Sequence, residues 1–210
     1  MPAVRASCGG GRGVVTGTDA AALAAELRTV VLERGYVRRA TPFQLSSGAL
    51  SHDYVDMRRA LARGADLAVA ARALLAHLEQ RKVHYVALGG MTMGADPVAH
   101  AAAVLGGRSW FSVRKADKTH GTGRRIEGAE ISAGTPVVLV EDTVSTGASM
   151  LEALCVLQAA GATVVRACAL VDRGDVAGPA LRAAGVSYDA LLTYADIGIE
   201  PLGVKPATTG

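Results

Sequence analysis

Leu23, Leu27, Val30 and Val31 recur at helical spacing, with Asp19 placed to cap and Gly35 placed to stop, so the pattern predicts a helix over 20–33. Residues 43–57 are polar and broken by Ser46, Ser47 and Gly48, and they predict a loop feeding a short strand around 53–56. An Ala/Leu pattern predicts a helix over 65–80, followed by an apolar strand over 83–88 that stops at Gly89-Gly90. Asp96 and Pro97 carry the chemistry to start a helix through Leu105, and 109–114 reads as another strand. The stretch 115–130 is polar, charged and Gly-rich. It is too long for an ordinary connection and has no apolar anchors, which predicts a flexible loop able to act as a lid. Pro136 to Glu141 is a buried parallel strand by its unbroken apolar run. A helix over 148–160, a strand over 164–171, a short helix over 179–184 and a strand over 188–193 complete the series.

This alternation implies an α/β fold with a mostly parallel central sheet flanked by helices and joined by right-handed crossovers. Ligands then bind at the carboxyl ends of the strands, which singles out Gly89-Gly90, Glu141-Asp142 and Asp172-Arg173. Residues 1–18 are Gly-rich and lack the apolar content to offset ordering entropy, so they predict a disordered tail ahead of a single domain over 19–210.

Composition narrows the function classes. A chain of 210 residues, 50% hydrophobic and 20% charged, fills the core of one such domain and leaves no room for a second catalytic one. A net charge of +3 with scattered basic residues is no nucleic-acid footprint, and 4% aromatic content offers little to stack bases on. A small anionic substrate suits this balance. Cys8, Cys155 and Cys168 have neither metal-ligand nor disulfide spacing, which predicts a reducing compartment, with Cys155 and Cys168 as core hydrophobes. His77 and His100 fall in Ala-rich helices and read as structural residues, and the histidines form no metal-ligand spacing. No apolar run reaches the roughly 18 residues of a membrane helix, and no charged-then-apolar leader is visible, so the expected location is the cytoplasm without membrane contact.

The strongest chemical signal lies at 137–149, where a buried strand ends in Glu141-Asp142 and turns through hydroxyls and glycine into a helix. Unpaired N–H groups and the helix dipole make that turn an anion cup, aided by the hydroxyls of Thr143, Ser145, Thr146 and Ser149. The adjacent acids suit the hydroxyls of a sugar on the same ligand. A Walker loop is excluded because the lysine it needs is missing, and the three-glycine dinucleotide fingerprint is missing as well.

Val-Leu-Val-Glu-Asp-Thr-Val-Ser-Thr-Gly over 138–147 resembles the phosphoribosyl pyrophosphate signature of the type I phosphoribosyltransferases. The resemblance implies that Glu141 and Asp142 contact the ribose hydroxyls, Asp142 also serving catalysis. It implies too that Thr143, Val144, Ser145, Thr146, Gly147 and Ala148 hold the 5-phosphate.

A second segment, Arg114-Lys115-Ala116-Asp117-Lys118-Thr119-His120-Gly121, continuing through glycines to Arg124-Arg125, is by itself either a solvated basic loop or a cationic lid for a departing pyrophosphate. Its spacing is similar to the catalytic loop of the orotate phosphoribosyltransferases. That likeness implies Arg114 and Lys115 bind pyrophosphate while Lys118 and His120 act catalytically on the substrate of the neighbouring subunit, so a homodimer with shared sites is expected.

Residues 43–56 resemble the same family's orotate-binding element, implying orotate contacts from Ser47 and Gly48, joined by Thr146. A polar turn before an edge strand is the plainer reading of that stretch. Arg173, at a strand end, offers the planar fork that a carboxylate such as orotate's takes, against the alternative of a surface ion pair with Asp172 or Asp175.

Residues 89–95 match the family's pyrophosphate loop, but Met93 stands where many members carry lysine, which shifts the charge burden to Arg114, Lys115 and Lys118. Ser46 likewise stands in place of a lysine in the orotate-binding element, which removes one substrate contact. The resemblance also implies Mg2+ chelated by substrate oxygens with no direct protein side-chain ligand, a small hood from about 19–60 and 195–210, and a place in UMP biosynthesis. A purine phosphoribosyltransferase would not predict Arg173 or the Lys118/His120 spacing. A regulator that only senses the sugar phosphate would need a nucleic-acid surface not visible here.

Overall fold

The computed structural model describes residues 17–44, 50–115 and 125–202. The chain opens with α1 (Gly17–Val30), a π-helical turn (Val31–Gly35) and the antiparallel hairpin β1 (Tyr36–Gln44) and β2 (Leu50–Val55). A short helix α2 (Met57–Ala60) and the long α3 (Gly64–Gln80) follow. Then come β3 (Ala87–Met91), α4 (Asp96–Gly106), β4 (Ser109–Val113), β5 (Ile126–Gly128) and β6 (Pro136–Val144). The fold closes with α5 (Ala148–Ala159), β7 (Thr163–Asp172), α6 (Ala177–Ala183) and β8 (Tyr188–Thr193).

Six strands form one sheet in the order β5-β4-β3-β6-β7-β8, parallel except for β5. Its two faces are read directly from the two-residue period of the strands. Val138, Val140, Cys168 and Leu170 point into a core shared with Leu27, Leu74 and Val98 of α1, α3 and α4. Val137, Leu139, Ala167 and Ala169 point the other way, against Met150, Leu154 and Leu181 of α5 and α6. Among the described residues no helix is long and apolar enough to cross a membrane.

The topology opens a crevice at one place. β6 pairs with β3 only as far as Leu139 but with β7 as far as Val144. Because α4 leaves β3 toward one face and α5 leaves β6 toward the other, the β6 edge beyond Val140 is left without a strand partner on the β3 side.

Several sequence expectations shift. The first helix begins at Gly17 rather than at 20, and it ends in the π-helical turn. The 36–44 strand escapes the apolar pattern because a two-stranded hairpin away from the main core buries neither face continuously, and Arg38, Arg39, Thr41 and Pro42 break any alternation. β5 is a three-residue edge strand, too short to leave a period. Cys155 is exposed on α5, so it is no core residue, while Cys168 is buried as expected.

β3 runs from 87 to 91, which puts Gly89 and Gly90 inside the strand instead of at its end. A Cβ on Gly89 would lie 1.8 Å from the Phe111 carbonyl oxygen, and one on Gly90 1.9 Å from that of Val140. The glycines therefore let neighbouring backbones approach closely. Gly89→Ala is expected to cost roughly 2 kcal/mol of stability, a fall in melting temperature of about 4–8 °C measurable by calorimetry.

Candidate active site

The crevice holds a cavity of about 650 Å³ bounded by the hairpin and α2 on one side and by Thr92, Met93, Gly94, Glu141, Asp142 and Arg173 on the other. A second cavity of about 480 Å³ continues from it over Thr143 to Met150, and Lys115, Glu141, Thr143, Ser145 and Ser149 line both. The two together make a continuous trough with acids at its centre.

The anion cup forms where β6 turns into α5. Gly147 takes the left-handed conformation, φ 79°, that turns the chain into the helix, and the helix start has no side-chain cap. Apart from the Ala148 N–H, which donates to the Thr146 hydroxyl at 3.5 Å, its first N–H groups thus keep their capacity for an anion. The Thr143 hydroxyl is buried without a hydrogen-bond partner, a polar group ready for a ligand atom.

Glu141 and Asp142 lie within β6 rather than at its end, because the β7 ladder carries the strand on to Val144. Asp142 accepts a hydrogen bond of 2.6 Å from the Thr143 N–H, and Glu141 accepts one of 3.4 Å from the Asp142 N–H. Both carboxylates converge on Gly94, where a Cβ would sit 2.8 Å from an oxygen of each. Burial, reinforced by the charge of Asp142, pushes the Glu141 carboxyl up to about 8. Burial also raises Asp142, opposed first by the Thr143 N–H and, more weakly, by the Arg58 guanidinium. Arg58, on the wall of the cavity, was not singled out by the sequence, where Met-Arg-Arg-Ala over 57–60 reads as a connector.

The turn after β3 is held by Asp96, which accepts hydrogen bonds from Thr92 (2.7 Å) and Ser112 (2.6 Å), and the Thr92–Met93 peptide within it is cis. Asp96 is the first helical residue rather than the N-cap, which is Ala95. Met93 is exposed on this turn.

Arg173 is 2% exposed and reaches the cavity between the sheet and the hairpin. Its Nη2 donates to the Asp53 carbonyl at 2.6 Å and to the Ser51 hydroxyl at 3.4 Å, while its buried Nε has no hydrogen-bond partner. It is no surface ion pair. Asp172 instead turns inward to accept from Tyr188 (2.7 Å) and the Gly174 N–H (3.0 Å). The Arg114 side chain faces Glu127 at 3.9 Å and lines neither cavity. Ser47, Gly48, Lys118 and His120 lie outside the described residues.

The paired carboxylates are hard oxygen donors on the wall of the cavity, close against Gly94, and they fit a divalent cation carried mainly by a ligand's own oxygens. His77, Cys168 and Asp189 form a cluster the sequence spacing did not reveal, within 4.8 Å of one another. Asp189 is already paired with Arg166 and, at 3.1 Å, Arg81, and burial pushes the Cys168 thiol up to about 12. Two guanidinium charges and a protonated thiol make that cluster a poor cation site. The other helical histidine, His100, packs edge-on against Trp110 at 4.3 Å.

A family model for the phosphoribosyl transferase domain matches residues 68–182, and the chain belongs to that family. An orotate phosphoribosyltransferase of Mycobacterium leprae is 45% identical over 160 residues, 74% of this chain and 86% of its own length. The orotate phosphoribosyltransferase of Mycobacterium tuberculosis H37Rv is 39% identical over 191 residues, 89% of this chain and all of its own. A crystal structure of the latter enzyme in complex with 5-phospho-alpha-D-ribosyl 1-diphosphate matches with a TM-score of 0.69 at 38% identity, covering 84% of this chain and 99% of that one. One from Aeropyrum pernix matches at 0.68 and 35% identity, covering 83% and 95%. Within the family the chain stands with the orotate phosphoribosyltransferases.

Proposed function

We propose that this protein transfers the phosphoribosyl group of 5-phosphoribosyl 1-pyrophosphate to orotate, giving orotidine monophosphate and pyrophosphate on the route to UMP. The observation that carries this reading is the juxtaposition of the uncapped α5 N-terminus with the buried Glu141 and half-buried Asp142 carboxylates converging on Gly94. A 5-phosphate occupies the cup over 143–148, and the ribose diol donates hydrogen bonds to Glu141 and Asp142. The pyrophosphate lies toward the 92–94 turn and Lys115, where Mg2+ carried with it would offset part of its charge. Burial raises the Glu141 carboxyl in the empty site, and the hydrogen bonds that the ribose hydroxyls donate to it favour its ionised form once the sugar is bound.

Orotate fills the remaining space beneath the hairpin, its carboxylate on the unpartnered edge of Arg173 and its ring near Thr146, Ser47 and Gly48. The hood over this pocket is the hairpin with the 195–202 segment, where the Leu202 N–H donates to the Arg173 carbonyl at 2.6 Å. Departure of pyrophosphate leaves an oxocarbenium-like sugar that the pyrimidine nitrogen captures, with no covalent enzyme intermediate. Lys118 and His120 meet the leaving group in the site of a second copy, and Arg114, turned toward Glu127 and off its own trough, is compatible with the same use in a cytoplasmic homodimer.

With Mg2+ and phosphoribosyl pyrophosphate, the protein consumes the ultraviolet absorbance of orotate; uracil, adenine and hypoxanthine do not react, and chelation by EDTA stops the reaction. Failure with orotate, or reaction with a purine base, overturns the assignment. Lys118→Ala is expected to lower turnover roughly 50-fold with phosphoribosyl pyrophosphate affinity changed less than about threefold. Equal losses in steady-state rate and direct binding would remove Lys118 from the chemical step.

A further inference from the structure

Arg125 precedes β5, on the far side of the trough from the hairpin, and its side chain turns back on the end of β4. Its Nε and Nη2 donate to the Arg114 carbonyl at 3.0 and 2.8 Å, and Nη2 also reaches the Lys115 carbonyl at 2.9 Å. The Arg125 carbonyl accepts from the Arg114 N–H at 2.8 Å. The same Nη2 lies 2.5 Å from a carboxylate oxygen of Glu152. Glu152 stands on α5, one turn past the N-terminus that forms the phosphate cup. One rigid guanidinium plane thus ties two consecutive carbonyls to that helix.

What this fixes is the position of Lys115. Its side chain lines both parts of the trough, and its charge bears on Glu141. Arg125 and Glu152 line neither part of the trough; they border a separate cavity of about 1000 Å³ beside β5 and α5, away from the proposed substrate. We propose that Arg125 and Glu152 are positioning residues that register the Lys115 ammonium against the phosphate cup, so that one lysine serves the pyrophosphate of the proposed substrate. This rests on the function proposed above, and it extends the machinery to two residues that the signature motifs do not contain.

A side chain held at its base through backbone carbonyls loses reach when the tie is cut, and a displacement of about 1 Å at a charged contact is enough to matter. Arg125 and Glu152 are 27% and 44% exposed, so their mutual attraction adds little to folding. The structural and positioning roles are therefore separable.

The test compares Glu152→Gln, Arg125→Gln and the conservative Arg125→Lys with the unmodified full chain. Glu152→Gln and Arg125→Gln are expected to raise the KM for phosphoribosyl pyrophosphate about tenfold, leave that for orotate unchanged, and hold the melting temperature within about 2 °C. Arg125→Lys, with one donor point in place of a fork, recovers only part of the loss. In a Lys115→Ala background the same substitutions should add nothing, because their effect passes through that side chain.

Full additivity with Lys115→Ala, an unchanged KM, or a loss shared equally with orotate would overturn the proposal. Calorimetric binding of pyrophosphate with Mg2+ gives the same comparison without orotate. An inactive parent that still binds pyrophosphate, with the variants weakened, would therefore count against the substrate assignment and for the positioning role. A parent active with orotate whose variants bind pyrophosphate as well as it does would overturn the positioning role and leave the substrate assignment standing.

Discussion

Glu141→Gln is expected to lower turnover about 10³-fold, the scale lost when a charge aimed at the reacting sugar is removed, while making the protein more stable at neutral and alkaline pH. The two effects share one cause. Glu141 is 6% exposed beside a second carboxylate, and its carboxyl is held at about 8 against an ordinary 4.5. Below 4.5 the group is protonated in both folded and unfolded chains and contributes no difference. Between 4.5 and about 8 the unfolded chain releases the proton and the folded one keeps it. The folded state then binds more protons, so stability falls as pH rises. Above about 8 the buried charge must be borne in full.

Glutamine keeps the shape and removes the titration. The variant should match the parent near pH 4 and melt roughly 4–8 °C higher at pH 8, equivalent to about 2 kcal/mol. Parallel melting curves across that range, or a variant less stable than the parent at pH 8, would show that the site holds Glu141 ionised without ligand. A site that stores this unfavourable charge is one built for something cationic or hydrogen-bond-donating to arrive.

That site was legible in the sequence to an uneven degree, for physical reasons. The acid pair, the hydroxyl-rich turn and Gly147 occupy one continuous stretch, so their chemistry is local and the motif carries it whole. The fully buried strands and their helices leave strong periods, and β8 lies where the pattern placed it. What the sequence hides is whatever depends on contacts between distant segments. Gly94 acquires its meaning only because β3 and β6 are neighbours, which brings it within reach of Glu141 and Asp142. Gly89 and Gly90 read as a strand terminus, since nothing local reveals that Phe111 and Val140 will press against them. Arg58 looks like any basic residue in a polar connector, and Arg125 reads as one more cation of the 114–125 loop, until the fold sets them beside Asp142 and the Lys115 carbonyl.

Arg173 shows how one such long-range contact makes two functions inseparable. Its guanidinium anchors β2 through the Asp53 carbonyl, 120 residues away in sequence, and the same group faces the cavity where orotate is proposed to sit. Arg173→Lys keeps a charge but loses the planar fork, so the KM for orotate should rise on the order of 10²-fold while affinity for phosphoribosyl pyrophosphate changes less than about twofold. Arg173→Ala should match that kinetic loss and also melt lower, because the buried Asp53 carbonyl is left without its donor at a cost of roughly 1–3 kcal/mol. Ser51→Ala removes only the 3.4 Å contact and should leave melting and kinetics near those of the parent, which separates damage to the hairpin from loss of the carboxylate contact. If Arg173→Lys weakens both substrates equally in initial-rate kinetics, the arginine braces the whole trough and the orotate carboxylate is held elsewhere. If orotate alone suffers, the guanidinium recognises the carboxylate that distinguishes this pyrimidine from uracil, and the hairpin anchor is what keeps that recognition in register.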